Sequence, residues 1–163
     1  MKKILMLALA VSAAAVTTAP AAAATYNVKA NVTATCTALT GSATDLDFGT
    51  LTVAADGTLT GTHTKSSTQA SVVCNGAATT MTVVSTPMTN AATAFDAGFT
   101  NTINYTTAVT LAGFTYTGPS PQVTGARSGL LTVTASALAP AGGLALVAGN
   151  YAGTITVTLA PSA

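Results

Sequence analysis

Threonine alternates with apolar residues in several stretches of this sequence, and that pattern limits the fold more than any other feature. It is clearest in Leu130–Thr134 and in Thr154–Leu159, which reads Thr-Ile-Thr-Val-Thr-Leu. Successive side chains of a β-strand point to opposite faces, so period two collects the apolar residues on one face. Threonine is stiff at χ1 and fits a pleated surface better than a helix. The sequence therefore predicts an all-β domain.

Segments with strand character recur along the chain and are separated by turn sequences. The predicted strands are Tyr26–Cys36, Leu46–Leu51, Thr58–His63, Gln69–Cys74, Thr79–Ser85, Thr102–Val109, Gly113–Thr117, Leu130–Ser136 and Tyr151–Leu159. The turn signals are Asp56-Gly57, Asn75-Gly76, Gly118-Pro119, Gly142-Gly143 and Gly149-Asn150. Short strands at this spacing predict a sandwich of two antiparallel sheets, with a partly open barrel as the alternative. Only Met88–Gly98 is ambiguous between a short helical turn and a loop.

The first 24 residues have the features of a secretory leader. Lys2 and Lys3 precede the apolar run Ile4–Val16, and Ala22-Ala23-Ala24 offers small residues for cleavage. We therefore expect residues 1–24 to be a signal peptide and the mature chain to be exported. We expect no membrane span in the mature chain, since a span needs about 20 apolar residues. The remaining part, about 139 residues, has the usual size of one domain.

Charged residues are scarce once the leader is removed. Lys29, Lys65 and Arg127 face four aspartates, so three positive charges minus four negative charges give a net charge of −1. A nucleic-acid binder needs several clustered cations to displace counterions from phosphates, and this chain lacks them. We therefore expect no nucleic-acid partner. A net charge near zero favours association between protein molecules.

The chain offers little for catalysis or metal binding. It has no glutamate, and its close carboxylate pair, Asp45 and Asp47, has no third and fourth oxygen ligand in register. His63 is the single histidine, and no Gly-x-Ser-x-Gly motif accompanies it. The sequence therefore predicts that the protein is not an enzyme and needs no cofactor or metal.

Aromatic residues on strands leave sugar binding open as a minor alternative. Tyr105, Tyr116, Tyr151 and Phe114 could stack on a sugar ring, but the chain contains no tryptophan. Tyrosine at alternating strand positions more often belongs to the core or its margin. We therefore expect these rings to pack within the domain.

Cys36 and Cys74 are the two cysteines of the chain. An even number of cysteines behind an export signal argues for a disulfide. A zinc site is excluded because no second pair of cysteines or histidines accompanies them. The sequence therefore predicts that Cys36 and Cys74 are bonded to each other.

The first and last predicted strands lack an obvious partner. In Thr25–Cys36, one face carries Tyr26, Val28, Ala30, Val32 and Ala34, and no turn signal joins the segment to a neighbouring strand. It can pair with a distant part of its own chain or with another molecule. The last strand has an apolar face of Ile155, Val157 and Leu159, and we expect one of its edges to stay exposed.

Four motifs in order resemble the spore coat protein U family, which includes the pilin subunits of archaic chaperone-usher pili. They are the leader followed by Val28–Cys36, then Asp47–Leu51 with the sequence Asp-Phe-Gly-Thr-Leu, Val72–Gly76 with Val-Val-Cys-Asn-Gly, and the terminal Gly149–Leu159. The resemblance spans nearly the whole mature chain. It is weakest in Thr86–Pro121.

The resemblance implies an incomplete immunoglobulin-like sandwich that lacks its last strand. The N-terminal donor strand, residues 25–35, of the next subunit would complete the domain formed by residues 36–163. The groove-filling side chains would be Val28, Ala30 and Val32, with Tyr26 as a fourth, and the groove edge would carry Ile155, Val157 and Leu159. Cys36 and Cys74 would form the disulfide of the family.

The resemblance also implies partners and a location. The partners would be identical or related pilin subunits, a periplasmic chaperone and an outer-membrane usher, and the protein would end in a surface pilus that supports adhesion or biofilm formation. The alternative is a secreted monomeric coat-like or adhesin domain that binds a surface or a glycan. Such a monomer would pair its N-terminal strand within its own chain.

Overall fold

A computed structural model gives the fold and describes residues 27–37, 45–118 and 120–162, with the backbone alone at Ala70. These residues form strands and loops with no α-helix. The strands are β1 Thr64–Cys74, β2 Ala78–Thr89, β3 Phe99–Thr100, β4 Thr102–Leu111, β5 Phe114–Tyr116, β6 Gln122–Thr124, β7 Arg127–Pro140, β8 Ala145–Leu146 and β9 Ala152–Ser162. A single 3-10 turn covers Ala141–Gly143. No helix in this part of the chain is long and apolar enough to cross a membrane.

The antiparallel strands form two layers joined at one corner. One layer has the order β1-β7-β4-β5, and the other places β2 between β6 and β9. The corner lies where Met88 and Thr89 of β2 pair with Ile103 and Thr102 of β4. A short parallel pair, β3 with β8, lies apart from these layers. The all-β, sandwich-like fold predicted from the alternation is confirmed.

The core fills the space between the layers. Its fully buried cluster draws on both layers and consists of Val72, Met81, Val109, Leu111 and Leu131. Burying such a side chain contributes roughly 1.5 to 3 kcal/mol. From Ile155 to Pro161 of β9, the odd-numbered residues are half-buried and the residues between them are exposed, and Val157 and Leu159 pack against this core. The periodicity of the sequence thus sets which face of each long strand is buried.

Irregularities adjust the register in three pairings of the long strands: β1 with β7, β4 with β7, and β2 with β9. Gln69 pairs with Leu131, but the next pair is Val72 with Gly129, so β1 carries one extra residue. Ser71 takes a φ of 62° at this point, and Ala137 takes a φ of 51° at a similar break in β7. An extra residue shifts the alternation by one. As a result Gln69 and Val72 both turn toward the inside.

The predicted strands have different outcomes. The segments beginning at Gln69, Thr79, Thr102, Gly113, Leu130 and Tyr151 all lie mainly within strands, whereas Leu46–Leu51 and Thr58–His63 do not. Leu46–Leu51 contains no strand or bridge, and Thr58–His63 contributes only Leu59, which forms an isolated bridge with Val53. Of Tyr26–Cys36, the described residues 27–35 join no strand, and Cys36 alone bridges Cys74. Tyr26 lies outside the described residues.

The ambiguous segment Met88–Gly98 contains no helix. Its first two residues end β2, and the rest is a loop held by two asparagine side chains. Asn90 Nδ2 donates to the carbonyl oxygen of Val147 at 3.2 Å, and Asn101 Nδ2 donates to that of Ala92 at 2.9 Å. These bonds replace the backbone pairing that a helix or strand would supply.

Candidate functional site

A groove of about 1230 Å3 lies between the outer edges of β1 and β9. In the described part of the chain, β1 pairs with β7 and β9 pairs with β2, and neither strand has a partner strand on its other side. Ser67 and Gln69 of β1 line one side, and Ile155 and Val157 of β9 line the other. The two unpaired strand edges therefore form the two sides of a groove that opens between the layers.

Apolar side chains form the floor of this groove. They come from β4 and β7, and they include Ile103, Leu131 and Val133. Ile103 and Leu131 also belong to the buried residues of the domain, with 0% and 2% of their surfaces exposed. A floor of this kind favours an apolar occupant and disfavours a charged one.

The edge of β9 supplies a row of backbone groups beside the apolar floor. An unpaired strand edge presents N–H and C=O groups that another strand can pair with. In β-strand addition, these main-chain bonds give affinity, and alternate side chains of the incoming strand enter the interior. The groove therefore has the chemistry needed to accept an extended peptide with apolar residues at every second position.

The groove-edge residues predicted from the sequence do not all have the same surroundings. Ile155 and Val157 line the groove, and both are half-buried. Val157 also packs against the core cluster, as does Leu159. The lining of the groove on β9 ends at Val157. Leu159 is thus part of the core wall beyond the groove.

The donor residues predicted from the sequence are exposed where the structure describes them. Val28 and Val32 expose 94% and 77% of their surfaces, and Ala30 is exposed as well. Single exposed apolar residues are common, whereas Val28, Ala30 and Val32 recur at every second position and so share one face of an extended segment. Tyr26 falls outside the described residues.

Cys36 and Cys74 form the predicted disulfide, with their Cα atoms 4.1 Å apart. Cys74 exposes only 1% of its surface, and it stands at the end of β1. Thr37 N donates to the carbonyl oxygen of Val73 at 2.7 Å, so backbone pairing continues on one side of the bond. The disulfide therefore fixes the point at which the N-terminal segment leaves the domain.

A loop at one rim of the groove replaces the predicted strand Leu46–Leu51. Leu46, Phe48 and Leu51 are half-buried and line the groove. Asp47 Oδ1 accepts a hydrogen bond from Gly49 N at 2.7 Å, and Gly49 takes a φ of 65°. Aspartate bonding to the backbone two residues on is a turn-forming interaction, and a positive φ suits glycine. The aspartate therefore shapes a turn.

The other polar candidates make local contacts. His63 Nε2 lies 2.9 Å from the carbonyl oxygen of Thr60. Asp56 accepts hydrogen bonds from the hydroxyl and the backbone N–H of Thr58, and these bonds lower the pKa of Asp56. No group of three or more potential metal ligands occurs among the described residues. Each of these side chains stabilises the loop in which it lies.

Tyr105 is a groove residue whose role the sequence did not reveal. Its hydroxyl lies 2.7 Å from the carbonyl oxygen of Thr86 and 3.0 Å from that of Thr154, and it donates its proton toward them. The ring lines the groove. Burial raises the pKa of Tyr105 above its usual value of 10.0. One side chain of β4 thus ties β2 to β9 beside the groove.

Replacing Tyr105 with phenylalanine is expected to destabilise the domain by about 1 kcal/mol, the net value of a typical hydrogen bond. The effect should also depend on pH. Because the pKa of Tyr105 is raised in the folded state, the folded protein binds its proton more tightly than the unfolded chain. The contribution of Tyr105 to the free energy of unfolding is therefore fully present below pH 10, and it is lost as the pH rises through the folded pKa.

Urea denaturation at pH 8 and above pH 10 measures both effects. The wild-type midpoint should fall at the higher pH, and the midpoint of Tyr105→Phe should fall less. Tyr151, whose pKa is also raised by burial, contributes equally to the fall of the midpoint in both proteins. An equal fall of the midpoint in the wild type and in Tyr105→Phe would show that the ionisation of Tyr105 does not affect stability.

Comparison of the chain with protein-family models, with curated proteins and with solved structures finds no match to any of them.

Proposed function

We propose that the protein is a structural subunit of a surface pilus, assembled by β-strand addition between copies. In this proposal, residues 25–35 of one subunit enter the groove between β1 and β9 of the next. The observation that carries the proposal is that one chain contains both an open groove and an apolar segment of the kind that could fill it. The chain has a groove with two unpaired strand edges and an exposed, alternating apolar segment whose described residues 27–35 belong to no strand.

The dimensions of the two parts agree. On β9 the groove is lined by the six residues 152–157, and the apolar positions Val28, Ala30 and Val32 of the segment span five residues. At about 3.3 Å per residue, these stretches are about 20 Å and about 17 Å long when extended. Val28, Ala30 and Val32 recur at the spacing of two residues that Ile155 and Val157 also show. The apolar face of residues 28–32 can therefore lie along the groove floor.

Export and assembly factors complete the proposal. The leader of residues 1–24 would direct the chain out of the cytoplasm, where the disulfide between Cys36 and Cys74 can form. A subunit with an apolar groove needs protection before assembly, which a periplasmic chaperone would give, and an outer-membrane usher would pass it to the cell surface. The low charge of the mature chain also favours association. The filament would then support adhesion or biofilm formation.

A secreted monomeric coat-like or adhesin domain is the alternative. That function requires the N-terminal segment to pair within its own chain. Backbone pairing with the domain ends at Thr35, whose carbonyl oxygen accepts a hydrogen bond from Asn75 N, and residues 32–34 belong to no strand. This observation favours the subunit.

The direct test is to produce the full chain with its leader, together with a matching chaperone and usher, and to examine the cell surface by electron microscopy. We expect filaments that give a ladder of bands on a gel without boiling and a single band after boiling. A stable free monomer whose N-terminal segment is paired internally would contradict the proposal and favour the secreted domain.

A further inference from the structure

Asn75 holds the backbone of the chain just before Cys36. Its side-chain Oδ1 accepts a hydrogen bond from Thr35 N at 2.6 Å, and its Nδ2 donates to the carbonyl oxygen of Thr33 at 3.1 Å. Its own backbone N donates to the carbonyl oxygen of Thr35 at 3.0 Å. The side-chain amide thus acts like one more peptide group and extends the pairing that begins at the disulfide.

These contacts fix the direction in which the segment leaves the domain. Cys36 and Cys74 pair antiparallel, with Thr37 beside Val73 and Thr35 beside Asn75. In an antiparallel pair the chains run in opposite directions, so residues after Cys36 run back along β1 and residues before it run past the end of β1.

The groove lies along the half of β1 that is farther from Cys74. On β1 it is lined by Ser67 and Gln69, and on β9 by residues up to Val157. The far end of β9, Ser162, pairs with Ala78 close to the exit point. To enter the groove of its own domain, the segment would have to reverse its direction between Thr33 and Cys36, where Asn75 holds it.

We infer that Asn75 is a positioning residue that directs the N-terminal segment away from its own groove and toward a neighbouring copy. This inference rests on the proposed function. It matters because a tethered segment competes strongly with a separate one: a short flexible linker gives an effective concentration of about a millimolar. Without a restraint at the exit, insertion into the same chain would be favoured over assembly.

The test compares four full-length chains exported with the same chaperone and usher. Asn75→Ala removes both side-chain hydrogen bonds, and Asn75→Asp keeps the acceptor for Thr35 N while it loses the donor to Thr33. Asn104→Ala is the control, because Asn104 is an exposed asparagine on β4, which is separated from β1 by β7 in the sheet. Two quantities are measured: the ratio of monomer to ladder on unboiled gels, and hydrogen exchange of residues 27–35 in the monomer fraction.

We expect Asn75→Ala to raise the ratio of monomer to ladder by about tenfold, since two hydrogen bonds are lost. In its monomers, residues 27–35 should exchange slowly because they are paired with their own β9. Asn75→Asp should lie between Asn75→Ala and the wild type, and Asn104→Ala should match the wild type. If Asn75→Ala fails to fold, as its melting temperature will show, the Asn75→Asp variant decides.

Two results overturn the inference and leave the proposed function standing. In one, the wild type and Asn75→Ala form equal ladders. In the other, Asn75→Ala loses its ladder but residues 27–35 of its monomers still exchange freely. A wild-type chain that forms no ladder at all instead contradicts the proposed function.

Discussion

A chain that carries Val28→Asp and Val32→Asp together is expected to yield soluble subunits and no filaments. Burying a valine contributes roughly 1.5 to 3 kcal/mol, so the wild-type pair supplies a large part of the free energy of each junction. An aspartate in the same place has no partner on a floor built from Ile103, Leu131 and Val133. It must be neutralised or excluded, and either outcome costs several kcal/mol.

The same double change should leave the subunit itself folded. Both valines are exposed in the single chain, at 94% and 77%, so the substitution removes no packing within the domain. The melting temperature of the chaperone-free subunit should therefore match the wild type, and only the ladder on unboiled gels should be lost. Lys29→Gln and Asn31→Ser alter the opposite face of the segment and are the matched controls. A normal ladder from the double aspartate chain would exclude residues 25–35 as the donor.

Removal of the disulfide is expected to destabilise the domain by about 4 kcal/mol in the chain-entropy model. The bond joins cysteines 38 residues apart and so closes a long loop in the unfolded chain. Cys36→Ala with Cys74→Ala tests this value. Alanine suits the buried site of Cys74 better than serine, which would leave a hydroxyl without a partner.

Urea denaturation under oxidising conditions measures this loss as a lower midpoint. The wild-type protein under reducing conditions is the control and should show a similar midpoint to the double alanine protein. Reducing conditions should not lower the midpoint of the double alanine protein any further, since it has no disulfide to reduce. A midpoint unchanged from the oxidised wild type would mean that backbone pairing at Thr35 and Thr37 alone holds the exit segment.

The sequence predicts long alternating strands well, because periodicity and burial act together. In β9 the apolar residues Ile155, Val157 and Leu159 all face inward, as their spacing indicates. The first half of β1 gives no such signal, since Thr64–Thr68 is polar throughout. It becomes a strand through pairing with β7, where the Ser66 and Thr134 hydroxyls lie 2.7 Å apart. Tertiary pairing determines the strand there.

Local turn chemistry explains the segments predicted wrongly as strands. In Leu46–Leu51, the hydrogen bond from Gly49 N to Asp47 and the positive φ of Gly49 bend the chain, although leucine and phenylalanine alternate with polar residues. The pair β3 with β8 is two residues long on each side, too short for any period to be visible. Bulges such as that at Ser71 likewise depend on the partner strand.

The candidate site also contains some residues that the sequence could predict and others that it could not. Ile155 and Val157 follow from the alternation of a single strand and could be named from the sequence. Tyr105 and Asn75 could not, because their contacts join residues far apart in the chain: Tyr105 reaches Thr154, and Asn75 reaches Thr33 and Thr35. Neither residue type nor spacing signals such a contact.

The disulfide at the exit of the N-terminal segment has a mechanical consequence in a filament of the proposed kind. Tension enters each subunit through this segment, and at Cys36 the bond transmits it directly to Cys74 and the end of β1. The stretch between Cys36 and the start of β1 therefore carries no load. Without the bond, pulling would draw out residues 37–63 and lengthen each subunit by up to about 90 Å, at about 3.4 Å per residue. A reduced filament would therefore stretch under forces that an oxidised one resists.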